Sequence, residues 1–588
     1  MQSNANVTER TCVWNDVDWR KAHTAVRNLR QRIFRAVKEG NLKKVRNLQK
    51  LMMRSYSNIL VSTRRVTQKN KGKYTPGVDK LVVKTPKDRG ILVEMLSILV
   101  KYAFLWKVHP VRRTHILKAS GKKRPLGIPS IVDRCLQAIV KNALEPAWEA
   151  QFEGISYGFR PGRSAHDALG KIYNIARPNK SKKWVVDADI KGCFDNIDHA
   201  FLMKAIGNFP ARKIIHHWLK AGYVDKGVFH QTDAGTPQGG IISPLLANIA
   251  LHGIEEALTI YRPSEKMGKP IISKEGIKYD NRGQSIGDRQ VVRYADDFLV
   301  FCTSREDAER IIETLTKWLK ERGLTLSSEK TRIVHLTEGV DFLGFNIRHY
   351  KVSNSATGWK LLIKPSRETM QKTKEELRRK WLSLKGQNVK AIVRTLNPYI
   401  RGKANYLRPL VSSEAFSALD NHMFQREKRY ANRMHPKKSN KWKKRRYWGR
   451  LNLDREDNNV FGDKHSGIHL LKFSWFKIQR HKLVEGRASP DNPSLKKYWD
   501  NRNRSKVKEL IPSYQKVANK QGCSCPVCGQ TLFNGEELHV HHKIPRSKGG
   551  KDNYANLEMV HLYCHQQTHS TPNKEEGITT ENVTLFTD

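Results

Sequence analysis

The stretch Val291-Val292-Arg293-Tyr294-Ala295-Asp296-Asp297-Phe298-Leu299-Val300-Phe301 constrains this chain more than any other. β-branched and aromatic arms flank two adjacent acids, the pattern of a hairpin with carboxylates at its tip. A second apolar run, Trp184-Val185-Val186-Asp187-Ala188-Asp189-Ile190, also ends in acids. Carboxylates placed at such ends repel one another and lose solvation, a cost that calls for a compensating cation. Oxygen donors of this kind suit Mg²⁺. A lone Asp-Asp would be read as a solvated turn. The apolar flanks and the basic character of the chain weigh against that reading here.

The charge identifies the class of partner. Lys and Arg total 108 against 56 Asp and Glu, a net charge of +52 over 588 residues. Such an excess demands a polyanion, of which nucleic acid is the commonest. The alternative is a structural binder that performs no chemistry. An apolar fraction of 38% is enough for packed cores, and the length implies three or four domains. No apolar run approaches the roughly 18 residues of a membrane span. Residues 1–10 lack the apolar segment of a secretory signal. Four of the eight cysteines fall between Cys523 and Cys564 and the rest are scattered, a local cluster in a reducing compartment rather than a disulfide framework.

Along the chain, 19–60 reads as basic helix, with Val26, Leu29, Ile33 and Val37 at three- and four-residue steps. A Gly/Lys-rich break at 69–77 follows. From 88 to 363 helical stretches alternate with β-rich runs, the sign of an α/β domain. Residues 261–289 form a long polar loop of the kind that is functional or disordered. The 366–434 stretch is again helical and basic, and Ser489-Pro490-Asp491-Asn492-Pro493 reads as a linker. The densest basic patch, 436–450, carries eight Lys/Arg with Trp442, Tyr447 and Trp448. Its cations suit phosphates, Lys443, Lys444, Arg445 and Arg446 above all, and its aromatics suit unpaired bases. The plainer reading is a solvated basic linker.

The motif order then becomes specific. Tyr294-Ala295-Asp296-Asp297 resembles the active-site box of reverse transcriptases. Arg124-Pro125-Leu126-Gly127-Ile128-Pro129, Tyr157-Gly158-Phe159-Arg160-Pro161-Gly162-Arg163-Ser164, Asp189 with Phe194, Gly235-Thr236-Pro237-Gln238-Gly239-Gly240, Gly323-Leu324 through Lys330, and Phe342-Leu343-Gly344 resemble its neighbours in the family's order. Leu396-Asn397-Pro398-Tyr399-Ile400-Arg401-Gly402-Lys403 is similar to the maturase segment that serves as thumb and grips intron RNA. Together they resemble the proteins encoded within group II introns. The resemblance implies two Mg²⁺ on Asp189, Asp296 and Asp297, which can activate a 3′-hydroxyl and stabilise a leaving pyrophosphate. Asp187 would support them. It also implies Phe194 as a wall against the 2′-hydroxyl, with Arg124, Lys118 and Lys330 toward the incoming deoxynucleoside triphosphate. Gln238 would lie on the template–nucleotide pair.

Near the C-terminus, Cys525-Pro526-Val527-Cys528 and His561-Leu562-Tyr563-Cys564 give two ligand pairs at one spacing, which predicts a structural Zn²⁺ site. His541-His542, Asn556 and His565 follow the order of HNH endonucleases. That resemblance implies one divalent ion on His541 and His565, His542 as general base and Asn556 orienting the site. His569, four residues after His565 on an expected helix, shares its face and is a further ligand. A zinc ribbon without catalysis is the simpler alternative.

The resulting expectation is a multidomain α/β and α protein: a basic helical extension (1–87), right-hand polymerase fingers and palm (88–365), a helical thumb/maturase domain (366–435), a basic DNA-binding region and linker (436–512) and a small zinc-containing ββα-metal (HNH) domain (513–588). Its implied partners are group II intron RNA, target DNA and deoxynucleoside triphosphates, with no membrane; the sequence sets no oligomeric state. The implied setting is the bacterial cytoplasm, with an organelle left open. The competing readings are an RNA-binding splicing factor without mobility and a reverse transcriptase of another lineage, such as a retron or defence-associated enzyme.

Overall fold

The computed structural model describes residues 12–102, 106–117, 123–260, 271–272, 278–279 and 289–570. The expected basic helical start divides into Trp19–Lys38, Leu42–Arg54 and Tyr56–Arg64. Asp18 caps the first by accepting from Lys21 N, and Asn41 caps the second by accepting from Lys44 N. Their apolar faces, including Val26, Ile33, Val45 and Met52, close on the Ile131–Glu149 helix. That helix is buried on nearly every side, its Asp133, Arg134, Lys141 and Glu145 included, so it lies inside the core.

A four-stranded antiparallel sheet forms the centre, in the order Arg332–His335, Trp184–Ala188, Asp297–Cys302, Gln290–Tyr294. Its strands alternate between two cores. Val186, Val291, Phe298 and Val300 face one, with the N-terminal helices. Val185, Val292, Leu299 and Phe301 face the other, with the Arg367–Ser383, Val389–Leu407 and Ser413–Met434 helices. The period of two thus buries both faces, and the strands read as continuous apolar runs for that reason. A second sheet runs Lys123–Ile128, Val111–Leu117, Tyr223–Asp225, Val228–His230.

Two sequence expectations change. The 489–493 stretch is not a solvated linker. Ser489 and Asp491 are buried, and Asp491 accepts both hydrogen bonds of the Arg30 guanidinium, at 2.8 and 2.7 Å. The flanking chain straps the α/β domain: His481, Arg502 and Val484 N all donate to the buried Asp167 carboxylate, and Arg163 donates to Gly486 O. The basic patch is also different. Residues 440–447 are helical, but Tyr447 and Trp448 belong to the core. Trp448 Nε1 donates to Glu427 at 2.9 Å. Lys443 is buried too, its ammonium on Asn432 Oδ1 at 3.0 Å, so it faces inward rather than toward phosphate. Lys444, Arg445 and Arg446 remain exposed.

At the C-terminal end, Leu538–His542 and Leu557–His561 pair antiparallel and the Leu562–Ser570 helix follows, a ββα unit. It packs on the N-terminal helices: Cys525, Cys528, Met559 and Val560 share the apolar core of Trp14 and Trp19. None of the described helices is long and apolar enough to cross a membrane.

Candidate active site and metal clusters

The hairpin turns at Tyr294-Ala295-Asp296-Asp297, with Tyr294 paired to Asp297 and Ala295 at φ 60°. That left-handed conformation strains a residue with a Cβ, so the turn needs support. Gly158 supplies part of it: a Cβ there would lie 2.3 Å from Ala295 N. Asn248 bridges the two, donating to Gly158 O at 2.9 Å and accepting from Arg293 Nη1 at 3.0 Å. Arg293 Nη1 also donates to Ala295 O at 3.1 Å. Arg293 is fully buried, and burial pulls its guanidinium down to about 10 while Glu153 partly restores it.

Asp189 follows the neighbouring strand, and its carboxylate accepts from Lys330 Nζ at 2.8 Å. Asp187 lies opposite Leu299 and accepts from Arg332 Nε at 3.0 Å. Burial raises the Asp187 carboxyl, and Arg332 opposes the rise. Burial first, then Asp296, Asp189 and Asp187, push the Asp297 carboxyl up to about 6. Carboxylates crowded this way fit a divalent cation, whose charge reverses the penalty.

The Lys123–Ile128 strand joins this centre through a chain of side chains. Arg124 Nε donates to Gln238 Oε1 at 2.9 Å, and Gln238 Nε2 donates to Asp195 Oδ2 at 3.0 Å. Gly239, at φ 131°, makes the approach possible, since a Cβ there would meet Gly127 O at 2.5 Å. Phe194 is buried on the short Cys193–Asn196 helix, its ring edge-to-face with Phe159 at 6.4 Å. Phe159 is the exposed member of that pair. Lys118 lies outside the described residues. Between the Arg367–Ser383 and Ser413–Met434 helices, Arg367, Lys374, Arg378 and Arg426 line a recess of about 530 Å³.

Two clusters in the C-terminal unit have metal-binding chemistry. The ligand atoms of Cys525, Cys528, His561 and Cys564 all lie within 4.8 Å of one another. Cys528 Sγ is 3.3 Å from His561 Nδ1. Three sulfurs and a nitrogen at such separations fit tetrahedral zinc. His541, His565 and His569 form the second group within the same limit. Burial and the neighbouring imidazoles hold His541 and His565 below the ordinary histidine value, which favours the neutral form that can bind a metal. His542 Nε2 lies 2.6 Å from Asp552 Oδ1, and Arg546 holds the same carboxylate from the other side. Asn556 staples the intervening loop, accepting from Ile544 N and donating to Ile544 O and Lys551 O. His539 sits beside His565, with ring centroids 5.3 Å apart.

Arg293, Asn248, Asp552 and the thumb recess went unread in the sequence. Arg293 left one trace, a cation inside a β-branched strand. Asp552 left another, two residues after the Gly549-Gly550 pair.

Fold and site together define a reverse-transcriptase palm with an appended ββα unit. Residues 116–347 match the family model of the reverse transcriptase (RNA-dependent DNA polymerase), and 14–96 that of the N-terminal domain of reverse transcriptase. Residues 370–448 match the group II intron maturase-specific domain, and 525–571 the HNH endonuclease. The chain is 37% identical over 283 residues to the group II intron-encoded protein LtrA of Lactococcus lactis subsp. cremoris, covering 41% of this chain and 47% of LtrA. It is 35% identical over 316 residues to protein YkfC of Escherichia coli K12, covering 49% of this chain and 80% of YkfC. A 91 kDa protein in the cob intron of Schizosaccharomyces pombe is 32% identical over 395 residues, covering 57% of this chain and 48% of that one. The match thus spans about half the length of LtrA. This chain belongs to the group II intron-encoded reverse transcriptase–maturases that carry an HNH endonuclease domain.

Proposed function

We propose that this chain copies its intron RNA into DNA, assists splicing of that intron, and nicks the target DNA strand that receives it. The observation that carries the reading is the hairpin tip: Asp296 and Asp297 crowd Asp189 at the end of the adjacent strand, with the Arg124–Gln238–Asp195 chain alongside.

In this reading Asp189, Asp296 and Asp297 hold two Mg²⁺, which when bound supply Lewis-acid activation of a primer 3′-hydroxyl and neutralise the leaving pyrophosphate. Arg124 takes the triphosphate of the incoming deoxynucleotide. Lys330 keeps the Asp189 carboxylate oriented. The Phe194 ring, edge-to-face with Phe159, would be the wall against a 2′-hydroxyl. Lys444, Arg445, Arg446 and the thumb recess offer cations to intron RNA. Cys525, Cys528, His561 and Cys564 hold structural zinc. His541, His565 and His569 hold the nuclease's divalent ion, and His542, oriented by Asp552, removes the proton from the attacking water. The maturase-specific match and the likeness to LtrA favour this lineage over a retron.

The test uses purified protein with primed RNA template and a duplex carrying the spliced-exon junction. Asp296→Ala should abolish cDNA synthesis and leave RNA binding and nicking. His542→Ala should leave synthesis and lower nicking by roughly two to four orders of magnitude. Full synthesis by Asp296→Ala, or normal nicking by His542→Ala, sinks the corresponding assignment.

A further inference from the structure

Arg64 ends the Tyr56–Arg64 helix and is 1% exposed. Its Nη2 donates to Cys564 Sγ at 3.1 Å, and its guanidinium lies 4.3 Å over the Trp19 ring. Nε and Nη1 are buried without hydrogen-bond partners among the described residues. Glu536 is near enough to feel this cation, but its Oε1 is paired with Lys69 at 2.7 Å and its Oε2, buried like the two guanidinium nitrogens, makes no hydrogen bond to them. A guanidinium cannot shed its proton, and burying it without an anion is costly. The group placed to answer it is the sulfur cluster. Three thiolates and one neutral imidazole around Zn²⁺ leave one net negative charge on the centre, and zinc requires its cysteines as thiolates.

We propose that Arg64 is the counter-cation of the loaded zinc centre, so that metal binding and docking of the C-terminal unit onto the N-terminal helices are one event. The inference rests on reading the four-residue cluster as a zinc site. The surface that receives the unit is already built around Arg64. Gln567 Nε2 donates to Asn15 O and Val17 O at 2.7 and 3.0 Å. Arg20 donates to Pro526 O and Lys73 to the Tyr563 hydroxyl. The His541–His565–His569 group belongs to the same ββα unit. Docking therefore fixes where the nuclease lies relative to the polymerase. By linkage, whatever docking contributes to zinc retention, zinc contributes equally to docking.

Zinc release from the full-length protein to the chelator 4-(2-pyridylazo)resorcinol tests this, together with hydrogen exchange along the Tyr56–Arg64 helix. Arg64→Met keeps the apolar stem and removes the charge. It should release zinc about 10–100-fold faster, the usual effect of losing a partner of a metal ligand. Arg64→Lys should fall between it and the wild type, and Lys69→Met should stay near the wild-type rate. Zinc release at the wild-type rate by Arg64→Met overturns the proposal. So does equally fast release by Lys69→Met, because general damage to the interface would then suffice. In the unmutated protein, stripping zinc should raise exchange in the Tyr56–Arg64 helix; unchanged exchange overturns the proposal without need of any variant. Metal analysis separates the two layers: protein that purifies without zinc overturns the zinc reading itself, whereas stoichiometric zinc with indifferent Arg64 overturns only this inference.

Discussion

Arg293 does its work from behind the active site. It touches no reacting atom, yet one nitrogen holds both Asn248 and the Ala295 carbonyl of the strained turn. Arg293→Met keeps the apolar stem, removes the guanidinium and so releases that turn. Displacement of catalytic groups by about an ångström costs roughly a hundredfold in rate. We therefore expect primer extension to fall about a hundredfold, measured at a temperature where the variant remains folded; normal extension would make Arg293 merely structural. Phe194 calls for a different readout. It is already buried, so Phe194→Val opens space directly beneath the exposed Phe159 ring. Ribonucleotide incorporation relative to deoxynucleotide should rise by roughly one to two orders of magnitude, the range over which a pocket can reject one hydroxyl. Single-nucleotide kinetics with matched ribo- and deoxynucleoside triphosphates measure it, and an unchanged ratio would leave Phe194 as packing alone.

At the scale of elements, the Ser413–Met434 helix carries a pH response. Burial pushes the Glu427 carboxyl up to about 7, although the Trp448 Nε1 donor and Lys472 oppose the shift. The folded value lies above the unfolded one. Stability from this group is therefore fully present below about pH 4.5 and is lost as pH rises through 7. The shift corresponds to at most about 3 kcal/mol. Glu427→Gln keeps an acceptor for Trp448 without the charge, so its stability should exceed the wild type's at pH 8 and match it near pH 5. Urea unfolding monitored by tryptophan fluorescence at both pH values checks this, and a pH-independent difference would refute it.

The whole molecule is tied together by charges that meet across long stretches of chain. Arg30, from the first long helix, joins Glu145 at 2.9 Å and Asp491 at 2.7 Å, all three with little exposure. Arg30→Ala strands two buried carboxylates, of which Glu145 keeps Lys141 at 3.4 Å and Asp491 keeps no ion-pair partner among the described residues. Breaking one side of a buried pair costs about 3–5 kcal/mol. The loss should appear as a lower urea midpoint and as proteolytic cutting near 489–493. Arg30→Ala with Asp491→Ala together should recover part of it. A double variant no better than the single one would mean that the strap is held elsewhere.

Local pattern was enough for the 290–302 hairpin, the grouping of the two Cys/His pairs and the helices between 367 and 434, because short spacings of two, three or four residues need no distant partner to be recognised. The order of the polymerase-like and HNH-like motifs was legible only through the resemblance to known families, each motif being a short contiguous run. Whether a charged residue faces water or the interior is settled by what the rest of the chain brings against it. Lys443 lies in the densest basic patch and still points inward to Asn432. The Pro-rich 489–493 stretch has the composition of a linker and is buried by Arg30, some 460 residues earlier. Arg293 and Arg64 look like ordinary cations in the sequence, and only the fold sets one against the Ala295 carbonyl and the other against the Cys564 sulfur. A buried charge is stable only with its partner, and that partner lies at no fixed sequence distance.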